Sequence, residues 1–248
     1  MASPIPAGLA EYLSESAHEA VALLDPDQLT PDEVAALPQW WPTAASAAGP
    51  EAISVATAHW QHVLPSVLDD AVALFTERAV GTALGRVSGN SGGHIVLIYV
   101  LRGDARPIVC WFGYPPSAHL DNHTKTFRPG VKADLTQVSE QLRTYYTQVH
   151  DRFRIVGWGE CGLLPLNELF TLDGAVDEYE YWGDGDHHPE PTQLLPVFTS
   201  SNGQLCTELG SEDVWLQDDS ILEPMGELWP NIYGWVRRFT EEMARQPG

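Results

Sequence analysis

Residues Ile95–Leu101 form an unbroken run of seven apolar side chains, Ile-Val-Leu-Ile-Tyr-Val-Leu, rich in β-branched residues. A strand with one wet face alternates apolar and polar positions, so a run without alternation implies a strand covered on both faces. A second apolar run, Ile108–Phe112, follows after Arg102-Gly103-Asp104-Ala105-Arg106, and the two together read as a β-hairpin. This longest run is also far short of the roughly 20 residues that cross a bilayer. The N-terminus lacks the basic start and apolar stretch of a secretion signal, so a soluble, cytoplasmic protein without membrane contact is expected.

On the N-terminal side of the hairpin the chain is Ala-rich and reads as helical. Leu9–Leu24 carries apolar residues at helical spacing, and Thr30-Pro31-Asp32-Glu33 has the form of a capping box with proline at the first helical position. Trp41–Pro50 reads as a loop, and Ile53–Glu77 as a helix kinked at Pro65. After the hairpin, a connector rich in Pro, His and Gly runs from Tyr114 to Lys132. The chain is accordingly divided into residues 1–133, a helical region plus hairpin, and residues 134–248, an α+β module. One sheet running through both parts is the alternative.

In the second part an amphipathic helix spans Leu135–His150 and a short helix Leu166–Leu172. His150 follows the apolar face of the first and reads as a capping or core histidine. Strand signals lie at Leu194–Thr199, Gln204–Leu209 and Asp213–Leu216, with Asn202-Gly203 as a hairpin turn. A closing helix, Ile232–Ala244, presents Ile232, Trp235, Val236, Phe239 and Met243 on one face. The expected fold class is α+β: a mostly antiparallel sheet with helices packed on one face.

Charge narrows the function. The 248 residues hold 13 Lys+Arg against 34 Asp+Glu, a formal net charge of −21. Such a surface repels phosphate backbones and anionic lipid, so direct nucleic-acid binding is disfavoured, and a partner recognised electrostatically should be basic. The imbalance is uneven: residues 1–133 carry 7 basic and 13 acidic side chains, whereas residues 134–248 carry 6 and 21. Cys110, Cys161 and Cys206 are widely spaced and odd in number, which fits inert buried thiols better than a disulfide or zinc framework.

The sequence shows no nucleophile elbow, P-loop, zincin helix or dinucleotide fingerprint. His119, Asp121 and His123, or His187 and His188, could serve a metal-dependent enzyme, although loop histidines of this kind are commonly plain surface residues. No catalytic residue and no cofactor is expected. Asp173–Glu190 holds seven acidic residues and no Lys or Arg, with Tyr179, Tyr181 and Trp182 interleaved. Aromatics amid charge are the composition of a binding hot spot within a steering field, and equally of a strand whose aromatics face a sheet. The candidate partner-binding residues are Tyr179, Tyr181, Trp182, Asp184 and Asp186 in this stretch, with Glu212, Asp213, Asp218 and Asp219 near the strand ends.

From Leu142 onward the order of features resembles the SUKH superfamily, which includes the yeast Smi and Knr cell-wall regulators and bacterial immunity proteins. Leu142–Phe153 is similar to the helix leading into the family's turn, although Arg152 stands where glycine is usual. Gly162-Leu-Leu-Pro-Leu166 resembles its Gly-x-Leu-Pro step. Leu195–Phe198, Asn202-Gly203, Leu205-Cys206 and Val214–Asp218 resemble its successive strands, and Trp235, Val236 and Phe239 its closing helix. The resemblance implies a protein-binding module that performs no chemistry. Its bacterial form would be an immunity protein that occludes the active site of a cognate basic, nuclease-like toxin. Its other form would be an intracellular scaffold or regulator of the Smi/Knr type.

Overall fold

The computed structural model describes residues 5–88, 93–116, 136–159, 161–173, 180–181, 188–201, 203–219 and 221–245. In chain order the elements are α1 (Leu9–Ser16), β1 (Val21–Leu24), α2 (Pro31–Ala36), α3 (Trp40–Ser46), α4 (Pro50–Val63), α5 (Asp69–Arg78), β2 (Ala79–Val87), β3 (His94–Arg102) and β4 (Ile108–Gly113). There follow α6 (Glu140–Thr144), β5 (Phe153–Ile155), β6 (Gly162–Leu163), β7 (Glu180–Tyr181), β8 (Leu194–Ser200), β9 (Gly203–Glu208), β10 (Asp213–Asp218), β11 (Ile221–Glu227) and α7 (Leu228–Arg245).

All eleven strands join one sheet in the order β1-β2-β3-β4-β5-β6-β8-β9-β10-β11-β7, antiparallel except for the β11–β7 pair. The fold is α+β, with the helical N-terminal region and the early hairpin in place. β4 pairs with β5 through Trp111↔Ile155 and Gly113↔Phe153, so strands from residues 1–133 and from residues 134–248 belong to one sheet.

The apolar run of β3 is covered twice. Ile95, Leu97, Tyr99 and Leu101 enter the main core, where α3, α4, α5 and α7 pack. Val96, Ile98 and Val100 enter a second core on the opposite face, closed by Leu9, Tyr12 and Leu13 of α1. Side chains alternate across a strand, so every position had to be apolar for both layers to form. A third cluster lies farther along the sheet: Leu172, Leu194, Cys206, Trp215 and Leu222, with Tyr181 half-buried against them. Cys110, Cys161 and Cys206 are free and buried.

Several local expectations change. The helix expected over Leu9–Leu24 ends at Ser16, and Val21–Leu24 is the edge strand β1, held by Val21↔Val87 through Leu24↔Leu84. Helical spacing persists in Val21 and Leu24, but pairing with β2 outweighs local propensity there. The expected loop Trp41–Pro50 contains α3, with Trp41, Ala44 and Ala45 buried. Pro42 and Pro50 fall in first helical turns, where no amide donor is needed. The kinked helix at Pro65 is two helices, α4 and α5, with Ser66 at φ 67° in the turn between them.

The helix expected to end at His150 is α6 followed by a π-helical turn, Tyr145–Val149, in which the His150 amide donates to the Tyr145 carbonyl at 3.1 Å. Leu135 lies outside the described residues. Leu166–Leu172 forms a single 3₁₀ turn, Leu166–Glu168, before the Leu172 amide pairs with the Leu194 carbonyl. The closing helix begins four residues early, at Leu228.

Candidate functional site

Two polar features stand out, one sealed and one open. In the sealed one, His150 is fully buried at the centre of an aromatic shell that includes Trp40, Trp41, Trp60, Tyr145 and Phe153. Its Nδ1 lies 3.1 Å from the Tyr114 carbonyl and its Nε2 lies 2.7 Å from the Tyr99 hydroxyl. A carbonyl only accepts, so Nδ1 carries the proton and Nε2 accepts from Tyr99. Burial, the largest influence, pushes its pKa from 6.5 to about 3, so the ring is neutral. Gly113 lets the ring lie against β4, since a Cβ there would sit 2.3 Å from His150 Cε1. The cluster fastens β3 and the end of β4 to the π turn and α3–α4, with the His150 ring itself out of contact with solvent.

The open feature is a cleft of about 810 Å³ at one end of the sheet. One wall comes from the α4–α5 turn and the first turn of α5, which supply Asp69 and Asp70. The other comes from the start of β10 and the end of β11, which supply Glu212, Asp213 and Glu227. Trp229 and Tyr233, from the first turns of α7, form the floor. The sequence builds this corner with three signals: Pro65-Ser66 stops α4, the Gly210-Ser211 turn reverses the chain into β10, and the Leu228 amide docks on the Glu212 carbonyl at 2.8 Å.

Its electrostatics are one-sided. Five carboxylates line the cleft, none of its described lining residues is Lys, Arg or His, and none of the five forms an ion pair among the described residues. The N-termini of α5 and α7 both abut it, and each helix end is worth about half a positive charge. Among the described residues, about one unit of positive charge therefore stands against five formal negative charges. Asp213 accepts from the Ser211 hydroxyl at 3.0 Å. Glu212 is half-buried, and desolvation raises its pKa against the lowering effect of a hydrogen bond from Ser139. Glu212 Oε2, Trp229 Nε1 and the Tyr233 hydroxyl are buried with no hydrogen-bond partner among the described residues. The Tyr233 hydroxyl is held protonated by burial, then by Tyr145 and Asp70 nearby.

The residues expected from sequence fall in three places. Glu212 and Asp213 lie in the cleft. Asp218 and Asp219 lie at the far end of the same strand, about 17 Å away at the rise of an antiparallel strand. Tyr181 pairs opposite Leu222 on the edge strand β7, with its ring 4.0 Å from His188 and 5.8 Å from Trp215. Tyr179, Trp182, Asp184 and Asp186 lie outside the described residues, as do His119, Asp121, His123 and His187. Among the described residues no group of three or more His, Cys, Asp or Glu side chains could hold a metal ion, and no helix is long and apolar enough to cross a membrane.

Asp69, Asp70 and Glu227 were not anticipated. Asp69-Asp70 reads locally as an ordinary acidic helix start, and only tertiary packing of α5 beside α7 brings it into the same cleft as Glu212. Searches among family models, curated proteins and solved structures return no match for this chain.

Proposed function

We propose that this protein is a non-catalytic inhibitor of the immunity type, which binds a cognate basic toxin protein and occludes its active site. The supporting observation is the acidic cleft, lined by Trp229, Tyr233 and five carboxylate residues that have no ion-pair partner among the described residues. A cationic partner gains Coulomb energy from such a cleft, and a toxin that holds nucleic acid carries a positive surface of its own. The net charge of −21 extends that attraction beyond the contact and accelerates encounter. The resemblance of residues 142–239 to SUKH immunity proteins supports the same reading.

Co-purification with the product of the adjacent toxin-like gene tests it, followed by association kinetics at two ionic strengths. A complex is expected that relieves the toxin's activity, with an association rate falling about tenfold or more between about 50 and 500 mM salt. Relief of toxicity separates inhibition from the scaffold role of the Smi/Knr type. Failure to form a complex, or an association rate indifferent to salt, overturns the proposal.

A further inference from the structure

The two ends of the sheet are finished differently. At one end β7 pairs with Ile221 and Leu222, and the rest of β11 is blunted against further pairing. Pro224 has no N–H, Met225 is bulged between the pairs Trp215↔Pro224 and Val214↔Gly226, and the Met225 carbonyl accepts from Asn231 Nδ2 at 2.8 Å. Prolines and bulges are devices that keep an edge from recruiting another strand. β1, at the other end, has neither, and pairs with β2 in unbroken register from Val21↔Val87 to Leu24↔Leu84.

The register fixes which backbone groups face outward. The Ser88 amide donates to the Ala20 carbonyl at 2.9 Å, which makes Ala20↔Ser88 a hydrogen-bonded pair. Such pairs alternate along an antiparallel ladder, so Ala22 and Leu24 bond to β2 while the N–H and C=O of Val21 and Leu23 point away from it. No described residue pairs with these four groups. Ala22 is exposed, and Val21, Leu23 and Leu24 are half-buried. Val21 and Leu23 pack on the second core and Leu24 on the main core, so a strand added here would extend both apolar layers.

Charge selects the strand. No Lys or Arg occurs before Arg78, whereas residues 11–33 hold seven carboxylates. Glu19 pairs with Arg154 and Glu33 with Arg86. Glu11, Glu15, Asp25, Asp27 and Asp32 form no ion pair among the described residues. A second copy paired antiparallel through β1 would set these acidic flanks against each other, between two chains of net charge −21. A basic strand meets attraction in place of that repulsion.

We infer that the β1 edge receives an extended basic segment of a partner protein as an added antiparallel strand. Two residues of the segment exchange backbone hydrogen bonds with Val21 and Leu23 and place apolar side chains on the second-core face, and cationic side chains flank them at the two ends of β1, where Glu19 and Asp25 lie. The edge is at the opposite end of the strand order from β10 and β11 of the acidic cleft, and the inference shares with the function proposed above only the sign of the partner.

The full-length protein is titrated, by fluorescence polarisation, with the dye-labelled, end-blocked peptide Arg-Lys-Val-Thr-Val-Thr-Lys-Arg. A saturable complex is expected, weakened about tenfold or more when the four cationic residues are replaced by Glu. N-methylation of both valine amides removes the donors that face β1 and should weaken binding about tenfold or more, whereas N-methylation of both threonine amides, which face away, should change it by less than about threefold. Leu23→Pro removes an outward donor and no β1–β2 bond, so it should match the valine N-methylation in effect. Asp25→Asn, which keeps the acceptor for the Asp27 amide, should weaken the peptide about threefold.

The N-methyl comparison uses the parent protein and decides the matter even if Leu23→Pro fails to fold. Absence of a saturable complex, equal effects of the two N-methylations, or equal binding of the Glu-substituted peptide overturns the inference. Concentration-dependent dimerisation in sedimentation that Leu23→Pro abolishes assigns the edge to a second copy and overturns it as well.

Discussion

His150 gives the stability of this fold a pH dependence whose sign is fixed by its burial. The folded-state pKa is about 3 against an ordinary 6.5, so between these values the unfolded chain takes up a proton that the folded ring refuses. Stability is therefore complete above pH 6.5 and is lost as pH falls. Each pH unit within the window removes about 1.4 kcal/mol, so the whole window removes about 5 kcal/mol, comparable to the entire stability of many domains.

Asp151, the next residue, opposes it. Burial raises its carboxyl from 3.8 to about 6, despite the lowering bond from the Leu166 amide at 2.8 Å. Its charged form is the strained one in the fold, so between pH 6 and 4 its contribution improves as pH falls, by about 3 kcal/mol in total. Over that interval the two residues nearly cancel, and below about pH 4 His150 acts alone.

The perturbation is to remove one partner at a time and measure urea unfolding from pH 7 to 4. For Asp151→Asn, stability relative to the parent should fall by about 1.4 kcal/mol per pH unit between pH 6 and 4; at pH 7 the variant should match or exceed the parent. For His150→Gln, the same difference should rise as pH falls, whatever constant penalty its lost packing adds. Differences between variants remove the common titration of the other carboxylates. A His150→Gln difference that does not vary with pH would show that the ring titrates normally and is not sealed.

Two further substitutions test local packing. Gly113→Ala places a Cβ 2.3 Å from the His150 ring, which has no room to retreat within its aromatic shell, so a loss of about 3 kcal/mol or more is expected in denaturant unfolding. Thr30→Ala removes the acceptor for the Glu33 amide in the capping box and should cost about 1 kcal/mol by the same measurement.

What the sequence disclosed follows from how local each signal is. The hairpin was legible because burial on both faces forces an apolar residue at every position of β3 from Ile95 to Leu101, which few other structures require. The cap at Thr30 was legible because its two bonds close within four residues. By contrast β2 was hidden, because Gly81 and Gly85 look like turn residues. Gly85 is instead a contact point, where a Cβ would lie 2.7 Å from Ile98 Cδ1 and 3.1 Å from Val21 Cγ1, so the strand packs closely through its weakest position. Similarly β1 kept a helical pattern that only pairing with β2 overrides.

The cleft divides along the same line. Glu212 and Asp213 could be named from charge and turn position, since both sit where Gly210-Ser211 reverses the chain. Asp69, Asp70 and Tyr233 acquire meaning only when α5 and α7 lie side by side on the main core. Charge counting placed the negative field on residues 134–248, yet one wall of the cleft belongs to the other part of the chain. The continuous sheet, with β4 paired to β5 and His150 clasped between Tyr99 and the Tyr114 carbonyl, ties those two parts together. The acidic corner is therefore a property of the joined sheet: residues 134–248 alone would retain Glu212, Asp213 and Glu227 with Trp229 and Tyr233 and would lack Asp69 and Asp70.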